Sequence, residues 1–218
     1  MMGQPPVTLQ TVRVALRLPL PGRTAQQAMA PQPRPGDRPD LPKPCPHEGA
    51  VLVLLYEQEG RLVLPLTCRT QTVEMHKGQV SLPGGAREPQ DHSFAQTALR
   101  ETSEELGIPE EAIEVLGPLT PLYIPPSRFC VYPYVGYASR AFPLRPDAHE
   151  VAEVIEVPLD YLLDPATRQE EVHYVDDQRF KVPFYQVARQ KVWGATAMIL
   201  AELVAILRAA QMPTTSTV

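Results

Sequence analysis

Cysteine is scarce in this chain, with only three among 218 residues. Cys45, Cys68 and Cys130 are odd in number, lie far apart and form no CxxC motif, which argues against a disulfide framework and against a zinc knuckle. We therefore expect three free thiols in a reducing compartment. The first residues contain no long apolar core followed by a small-residue cleavage site, so we expect no secretory signal and a cytoplasmic protein.

Long apolar runs and the common hydrolase motifs are also missing. The longest apolar stretch, residues 195–207, is interrupted by Glu202 and is too short to span a bilayer, so we expect no membrane association. There is no GxSxG motif and no GxxxxGK motif, and no cysteine has an evident histidine partner. These absences argue against a serine or cysteine hydrolase and exclude a P-loop NTPase.

Charge is distributed unevenly along the chain. Residues 1–47 contain six basic and two acidic side chains, whereas the remainder is strongly acidic, because the whole chain has a net charge of -5. An acidic body argues against nucleic-acid binding, which normally needs a basic face. It would also repel a polyphosphate unless metal ions and local cations reverse the field. The basic segment could assist an anionic ligand or a neighbouring subunit, or it could simply be a soluble arm.

Proline marks the N-terminal segment. Nine of the 26 prolines lie from Pro19 to Pro46 among mostly polar residues, which predicts an extended linker without regular structure. Residues 7–18 have the pattern of a short amphipathic helix. The predicted division of the chain is a short helix with a proline-rich arm at 1–47, one domain at 48–210 and a disordered tail at 211–218.

Apolar patterns after Gly49 predict a mixed order of strands. Residues 50–57 and 61–67 flank EQEG as a hairpin, and EVHYV and RFKVPFYQV form a second hairpin around DDQ. Further strands are expected at AIEVLG, FCVYPYVGYA and EVIEVPL. The spacing does not fit regular βαβ repeats, so the pattern predicts an α/β sandwich with a mixed sheet.

Two principal helices are expected within the domain. One spans about residues 93–106, where Ser93 and Gln96 form a capping box and Gly107 is a suitable stop. The other spans about residues 193–210 and carries an apolar stripe.

Three glutamates fall together on the first of these helices. At 100° per residue, Glu101, Glu104 and Glu105 lie within an arc of about 100°. Like charges at this spacing repel each other by roughly a few tenths of a kcal/mol per pair, so either water or a cation must offset the cost. Arg100 lies one turn before Glu104, where it can pair with one carboxylate and orient it. The spacing alone does not decide between a solvated acidic face and a metal site.

The turn before this helix adds a possible ligand. Gly84 and Gly85 let the backbone approach the helix and offer a carbonyl oxygen. Carboxylate and carbonyl oxygens without His or Cys are hard ligands, which suit Mg²⁺ or Mn²⁺ rather than zinc or copper. Such ions neutralise bridging phosphates and activate water. The pattern therefore favours a metal-dependent enzyme that acts on phosphates.

In these residues the chain resembles the Nudix hydrolases, whose signature is Gx5Ex7REUxEExGU, where U is a bulky apolar residue. Asp91 stands where the first Glu is expected, eight residues rather than seven separate it from Arg100, and Thr102 replaces U. The coenzyme A diphosphatase subgroup shares that insertion and an acidic residue there. The resemblance covers roughly residues 48–208 and implies a Nudix-type α/β/α sandwich. The matching residues are Gly85, Arg100, Glu101, Glu104, Glu105, Gly107 and Ile108.

A second signature of that subgroup, LLTxRSx3Rx3Gx3FPGG, resembles PLTCRTQTVEMHKGQVSLPGG at residues 65–85. Thr70 and Leu82 replace Ser and Phe, and Glu74 replaces the second Arg and reverses its charge. His76 and Lys77 could supply the missing positive charge, or His76 could be a loop residue with a backbone role.

The resemblance also implies roles in catalysis. Divalent ions would be held by Glu101, Glu104 and Glu105, together with the carbonyl of Gly84 or Gly85. Arg100 would orient Glu104 or Asp91. Glu150 is a candidate for an extra ligand or general base, or it is an exposed surface residue.

Other side chains are candidates for contacts with the substrate. Arg69, His76, Lys77 and Arg128 could bind phosphate charge. A stacking aromatic could be found among Phe129, Tyr132 and Tyr134, although their alternation makes at least half of them core residues. Trp193 is expected to anchor the last helix in the core.

The expected reaction is Mg²⁺- or Mn²⁺-dependent hydrolysis of a phosphoanhydride in a nucleoside diphosphate linked to another moiety. Coenzyme A would give adenosine 3',5'-bisphosphate and 4'-phosphopantetheine. Two alternatives stay open: a Nudix hydrolase of ADP-ribose, NADH or another nucleotide, and a non-catalytic domain that senses a nucleotide. The expected partner is a small nucleotide rather than nucleic acid or a membrane, and homodimers are frequent in the family.

Overall fold

A long strand, β1 (His47–Gln58), lies at the centre of an eight-stranded mixed sheet. It runs parallel to β7 (Phe129–Ala138) and antiparallel to β2 (Arg61–Arg69) and β4 (Gly84–Ala86). The mixed sheet predicted from the sequence is thereby confirmed. The computed structural model describes residues 6–70, 79–139, 142–175 and 177–212.

Four more strands complete this sheet. β5 (Ile113–Pro118) and β6 (Leu122–Ile124) pair with β7, whereas β3 (Val80–Ser81) and β8 (Val151–Pro158) pair with β2. A separate antiparallel sheet is built from β9 (Arg168–Val175), β10 (Gln178–Val187) and β11 (Gln190–Trp193), with β10 in the middle.

Helices cover both faces of the main sheet. The described residues contain α1 (Leu9–Ala15), α2 (Arg23–Gln27), α3 (Phe94–Leu106), α4 (Leu159–Leu163) and α5 (Gly194–Gln211), with short 3-10 turns at Glu110–Ala112 and Pro165–Thr167. α3 packs on one face, and α1, α2 and α5 pack on the other. This arrangement confirms the predicted α/β/α sandwich.

β1 is buried on both faces, as is typical of a strand between two helical layers. Leu52 and Leu54 pack in the cluster that contains Ala98 of α3. Val53 and Leu55 pack in the cluster that contains α5. Because alternate side chains of a strand point to opposite faces, this one apolar run joins the two halves of the core.

Both predicted hairpins are confirmed. β1 and β2 are joined at Glu59 and Gly60, which have φ values of 51° and 75°, as a two-residue type I′ turn requires. β9 and β10 pair with Val175 opposite Gln178. The strands predicted at AIEVLG, FCVYPYVGYA and EVIEVPL correspond to β5, β7 and β8.

The helix predicted at residues 93–106 is α3. Ser93 is its N-cap, and the Ser93 side chain accepts a hydrogen bond from Gln96 N at 3.2 Å. The Gln96 side chain accepts from His92 N at 2.9 Å, so the reciprocal bond falls one residue before the cap. Gly107 ends the helix with a φ of 69°. Both ends of α3 are therefore defined locally, as the sequence predicts.

The prediction of an extended proline-rich linker is wrong. Residues 23–27 form α2, and both α1 and α2 contact α5. Val12 and Met29 are buried in the same core as α5. Pro21 and Pro31 stand on either side of α2, so proline bounds this helix without entering it. The basic N-terminal segment is part of the folded domain, and the predicted C-terminal tail lies outside the described residues from position 213 onwards.

The prediction of three free thiols is wrong for two of them. Cys45 and Cys130 form a disulfide with their Cα atoms 6.3 Å apart, whereas Cys68 is free and buried. The parallel pairing of β1 with β7, in which His47 lies opposite Phe129, brings these distant cysteines together. The reducing compartment inferred from free thiols loses its basis, and a cytoplasmic location stays a prediction.

α5 is long and apolar enough to cross a membrane by length and composition alone, which corrects the prediction that this stretch is too short. However, 61% of it is buried inside the protein. The core helix of a soluble domain meets the same criteria, so the burial favours that interpretation.

Glu202 is a fully buried acid on α5 that joins the N-terminal segment to the sheet. Its Oε1 accepts hydrogen bonds from Gly22 N at 3.1 Å and Thr120 Oγ1 at 2.6 Å. Its Oε2 accepts from Gln26 Nε2 at 3.1 Å and Thr120 N at 3.0 Å. A buried carboxylate is tolerated when its oxygens are hydrogen-bonded, and here each oxygen accepts two bonds.

We predict that Glu202→Gln lowers the free energy of unfolding by about 2 kcal/mol or more, because hydrogen bonds to a charged group are worth roughly 1.5–3 kcal/mol each. The amide nitrogen would face two donors that now bind a carboxylate oxygen. Urea unfolding followed by circular dichroism measures the change. The matched control is Glu111→Gln, at an exposed position, and equal loss in both variants would contradict the prediction.

Candidate active site

Arg100 is the centre of a hydrogen-bond network at the start of the acidic cluster. Its Nε and Nη2 donate to the two oxygens of Asp91, each at 3.1 Å, and its Nη1 donates to Glu104 Oε2 at 2.9 Å. Nη2 also donates to Ala86 O at 3.0 Å and lies 3.0 Å from Glu101 Oε1. The planar guanidinium presents several N–H groups in fixed directions. Arg100 thus contacts both residues that it is predicted to orient.

Asp91 anchors this arginine from below the surface. It is 3% exposed and also accepts hydrogen bonds from Glu88 N at 2.9 Å and Thr97 Oγ1 at 3.0 Å. The bonds from Arg100 lower the pKa of Asp91 to about 2, although burial opposes the shift. The departure from Glu to Asp at this position therefore preserves an ionised acid that fixes Arg100.

Glu101 lies directly against the backbone of Gly85. A Cβ atom added at Gly85 would overlap all three atoms of the Glu101 carboxylate. A side chain at position 49 would likewise overlap the Gly85 carbonyl oxygen. The glycines of β1 and β4 let two strands and one carboxylate meet at a single point.

The three glutamates that are predicted to share one face, Glu101, Glu104 and Glu105, differ in exposure, and their role as metal ligands stays a prediction. Glu105 is only 4% exposed, whereas the side chains of Glu101 and Glu104 are 15% and 59% exposed. Glu105 follows Ala98 by seven residues and so falls on the stripe that faces the sheet. Within the part of the chain that the structure describes, no three His, Cys, Asp or Glu side chains form a cluster that could hold a metal ion.

Negative charge is nevertheless concentrated around Glu101. Burial raises the pKa of Glu101 most, Arg100 lowers it, and the charges of Glu104 and Glu150 raise it further. Glu150 is exposed and lies in the turn before β8, away from α3 in sequence. The charge of Glu150 thus contributes to the raised pKa of Glu101, and its role as an extra ligand or general base stays a prediction.

The donor chemistry at this point fits a divalent cation. The Glu101 carboxylate and the carbonyl groups of Gly84 and Gly85 offer hard oxygens, and the absent side chain at Gly85 lets the carboxylate lie against this backbone. Mg²⁺ is usually held by one or two carboxylates, with water and substrate phosphates as its other ligands. A cluster of three preformed carboxylates is therefore not required for such a site.

A cavity of about 490 Å³ begins at the same glycines. It lies between the Gly84–Ala86 turn, the start of α5 and the residues around Pro31 and Pro35 of the N-terminal segment. Its surface is mainly apolar, and its volume is within the range of roughly 300–1,000 Å³ that is typical of small-molecule sites. The Glu101 carboxylate and the cavity thus both adjoin the backbone of Gly85.

The residues that are predicted to bind phosphate lie in different parts of the chain. His76 and Lys77 lie outside the described residues. Arg69 ends β2 next to β8. Arg128 is exposed in the turn between β6 and β7, with a φ of 58°, and it adjoins Phe129 of the cavity wall. Their contacts with substrate remain predictions.

The three candidate stacking aromatics lie in two different places. Phe129 lines the cavity and stacks on His47, with ring centroids 5.4 Å apart. Tyr132 stacks on Phe94 of α3 at 3.7 Å, and Tyr134 packs beside that helix. Phe129 is therefore the member of the three that faces the cavity.

Most of the cavity-lining residues are not predicted as site residues from the sequence, and Arg34, Phe180 and Trp193 are among them. Trp193 is 41% exposed, so the expectation that it anchors α5 in the core is wrong. It is the N-cap residue of α5 and stands at the end of β11, where the chain leaves the small sheet. Arg34 belongs to the segment predicted as a linker, and the excess basic charge of residues 1–47 is the signal that could have indicated it.

Comparisons with known proteins identify the group to which this chain is similar. A family model described as the NUDIX domain matches residues 46–178. The Nudix hydrolase NudL of Photorhabdus laumondii is 36% identical over 161 residues, which cover 72% of this chain and 82% of NudL. The human mitochondrial coenzyme A diphosphatase NUDT8 is 39% identical over 161 residues, covering 71% of this chain and 66% of NUDT8.

Two further matches are more partial. The mouse peroxisomal coenzyme A diphosphatase NUDT7 is 41% identical over 116 residues, which cover 53% of this chain and 49% of NUDT7. Among solved structures, a C. elegans Ap4A hydrolase binary complex matches with a TM-score of 0.45 at 19% identity, covering 52% of this chain and 81% of that one.

We predict that Asp91→Asn flattens the acid part of the stability profile. Because the pKa of Asp91 is lowered from 3.8 to about 2, its ionised form stabilises the fold above pH 4, and this contribution is lost as the pH falls towards 2. The variant should lose about 2 kcal/mol of unfolding free energy at pH 7 and less at pH 3.

Urea unfolding at pH 7, 4 and 3 tests this difference, with Asp40→Asn at an exposed position as the control. A loss that is equal at all three pH values would contradict the assigned role of the Asp91 charge.

Proposed function

The chain belongs to the Nudix hydrolase family and is a pyrophosphatase, and from this premise we propose that it hydrolyses coenzyme A or a derivative of it. Water would cleave the phosphoanhydride bond and give adenosine 3',5'-bisphosphate and 4'-phosphopantetheine. Two relatives that are named coenzyme A diphosphatases support this substrate. The LPLTCRT and LPGG segments of residues 64–85 support it independently.

One observation carries the assignment of the active site. The Glu101 carboxylate lies against the Gly85 backbone, and that same backbone forms part of the wall of the large cavity. A substrate held in the cavity would place its diphosphate at Gly85, against which the Glu101 carboxylate lies.

The residues of α3 would hold the divalent ions. We assign this role to Glu101, Glu104 and Glu105, with the carbonyl of Gly84 or Gly85 as a further ligand. Bound Mg²⁺ or Mn²⁺ would neutralise the phosphates and acidify a water molecule. Orientation of the carboxylates and proton transfer from the water would be carried out by other side chains.

Arg100 keeps the carboxylates in register, because it contacts Asp91, Glu101 and Glu104 simultaneously. We propose Glu150 as the general base that accepts a proton from the attacking water. Its charge acts on Glu101, and its exposed position leaves it accessible to solvent. A carboxylate that works in this way must be ionised before the reaction.

We predict that Glu101→Gln lowers turnover by at least ~10²-fold while the fold is retained, because the charge that fixes the cation is lost. Glu105→Gln should show the same effect. Steady-state measurement of adenosine 3',5'-bisphosphate formation by chromatography, with Mg²⁺ and with Mn²⁺, gives the turnover, and circular dichroism checks the fold. Glu111→Gln is the control and should retain wild-type turnover. A folded Glu101→Gln or Glu105→Gln variant with near wild-type turnover would rule out that residue's assignment.

The substrate is tested by product analysis on coenzyme A, ADP-ribose, NADH and diadenosine polyphosphates. We expect coenzyme A to have the highest kcat/KM, with phosphopantetheine as a product. Preference for ADP-ribose or a dinucleotide would leave the catalytic assignment intact and replace the substrate. Metal binding without hydrolysis of any compound would support a nucleotide-sensing domain instead.

A further inference from the structure

Arg34 has an unusual environment in the wall of the cavity. It is the single charged side chain among the cavity-lining residues in the described part of the chain. Its side chain is only 15% exposed. Its Nη2 donates to Tyr123 O at 2.8 Å, and its Nη1 lies 2.8 Å from Met198 Sδ, which is a weak acceptor. A guanidinium has five N–H groups, so these contacts leave donors that can bind an anion.

The counter-charge of Arg34 is shared. Asp37 Oδ1 lies 3.7 Å from Arg34 Nε, too far for a hydrogen bond, while the Asp37 carboxylate is also bound by Arg23. Arg38 lies nearby, with its guanidinium 5.7 Å from the ring centroid of Tyr123. Two arginines, Arg23 and Arg34, share the single carboxylate of Asp37, which gives a local excess of positive charge in a chain whose net charge is -5. This is the local reversal of field that an anionic ligand needs.

The lining of the cavity therefore contains two chemically different features. Gly85, against which the Glu101 carboxylate lies, marks the position where the diphosphate is proposed to react. Arg34 supplies a positive charge on the wall formed by the N-terminal segment. Phe129 and Trp193 add aromatic faces to the same cavity. A ligand with a diphosphate, a flat base and one additional phosphate would match all of these features.

We propose that Arg34 recognises a phosphate monoester on the substrate, separate from the diphosphate that is cleaved. This inference rests on the proposed function and makes Arg34 a specificity-determining residue. In coenzyme A the group is the 3'-phosphate of the adenosine. The subgroup signature has an arginine where this chain has Glu74, and Arg34 would supply the positive charge that is lost there. Arg34 lies in a segment that precedes the matched family region.

The test compares coenzyme A with 3'-dephospho-coenzyme A, which lacks only this phosphate. The wild-type protein should have a KM for coenzyme A that is at least ~10-fold lower, because a bidentate arginine–phosphate contact is strong and specific. Arg34→Met should reduce this ratio to about 2-fold or less by raising the KM for coenzyme A. Arg34→Lys should keep part of the ratio, since it retains the charge but not the planar fork.

Asp37→Asn provides a variant with the opposite expected result. It removes the counter-charge without changing a cavity-lining side chain, so the KM for coenzyme A should fall while that for dephospho-coenzyme A changes less. If Arg34 were only structural, both variants would raise the KM of both compounds. That result, or an unchanged ratio in Arg34→Met, would overturn the proposal. Thermal unfolding of each variant confirms that the compared proteins are folded.

Failure of the proposed function gives a different result. If the wild-type protein cleaves NADH but neither coenzyme A compound, coenzyme A is not its substrate. The comparison is then made between NADPH and NADH, which also differ by one phosphate. A preference for NADPH that Arg34→Met removes would support recognition of a phosphate by Arg34. The absence of any preference would overturn it.

Discussion

The candidate active site depends on the absence of a side chain at residue 85. The Glu101 carboxylate occupies the space that a Cβ atom would take, and Gly85 also pairs with Ala50 of the central strand. One backbone segment thus positions the acid, continues the sheet and lines the cavity. Any side chain at residue 85 would have to displace either strand β4 or the Glu101 carboxylate, and other contacts hold both in place. The strand is fixed by the core, and the carboxylate is fixed by Arg100.

Arg100 shows how a repulsive group of acids is kept in place without a large cost in stability. Its strongest partner is the buried Asp91, which is ionised and supported by a backbone N–H and a hydroxyl group. The guanidinium is therefore oriented before it meets Glu101 and Glu104. Asp91 therefore orients Arg100, whereas the glutamates of α3 are the residues that would contact a cation. An aspartate that lies one residue farther from Arg100 than in the family signature can still orient the guanidinium, because its carboxylate reaches Nε and Nη2.

The sequence was most informative where the determining signal is local. The hairpin around EQEG, the first and last residues of α3 and the strand β7 each depend on neighbouring residues, and the sequence predicts all three. A helical-wheel projection places Glu101, Glu104 and Glu105 on one arc but does not show which of them faces the sheet. The burial of Glu105 is therefore not predicted from the sequence. The Cys45–Cys130 disulfide and the partners of Glu202 depend on segments far apart in sequence. The proline content predicts an extended linker, whereas in the structure these prolines bound α2.

The N-terminal segment has a structural position that suits it to control specificity. It is held by the buried Glu202, by the disulfide at Cys45 and by backbone pairing of Gln32 with Lys181 of β10. It is thus fixed to α5, to β7 and to the small sheet, and it forms one wall of the cavity. The matched family region begins at residue 46, so this wall is built from residues before the part that carries the catalytic helix. Substitutions in the segment can change which ligand the cavity holds while Arg100 and the acids of α3 keep their contacts. Such a separation allows one catalytic apparatus to act on different nucleotides.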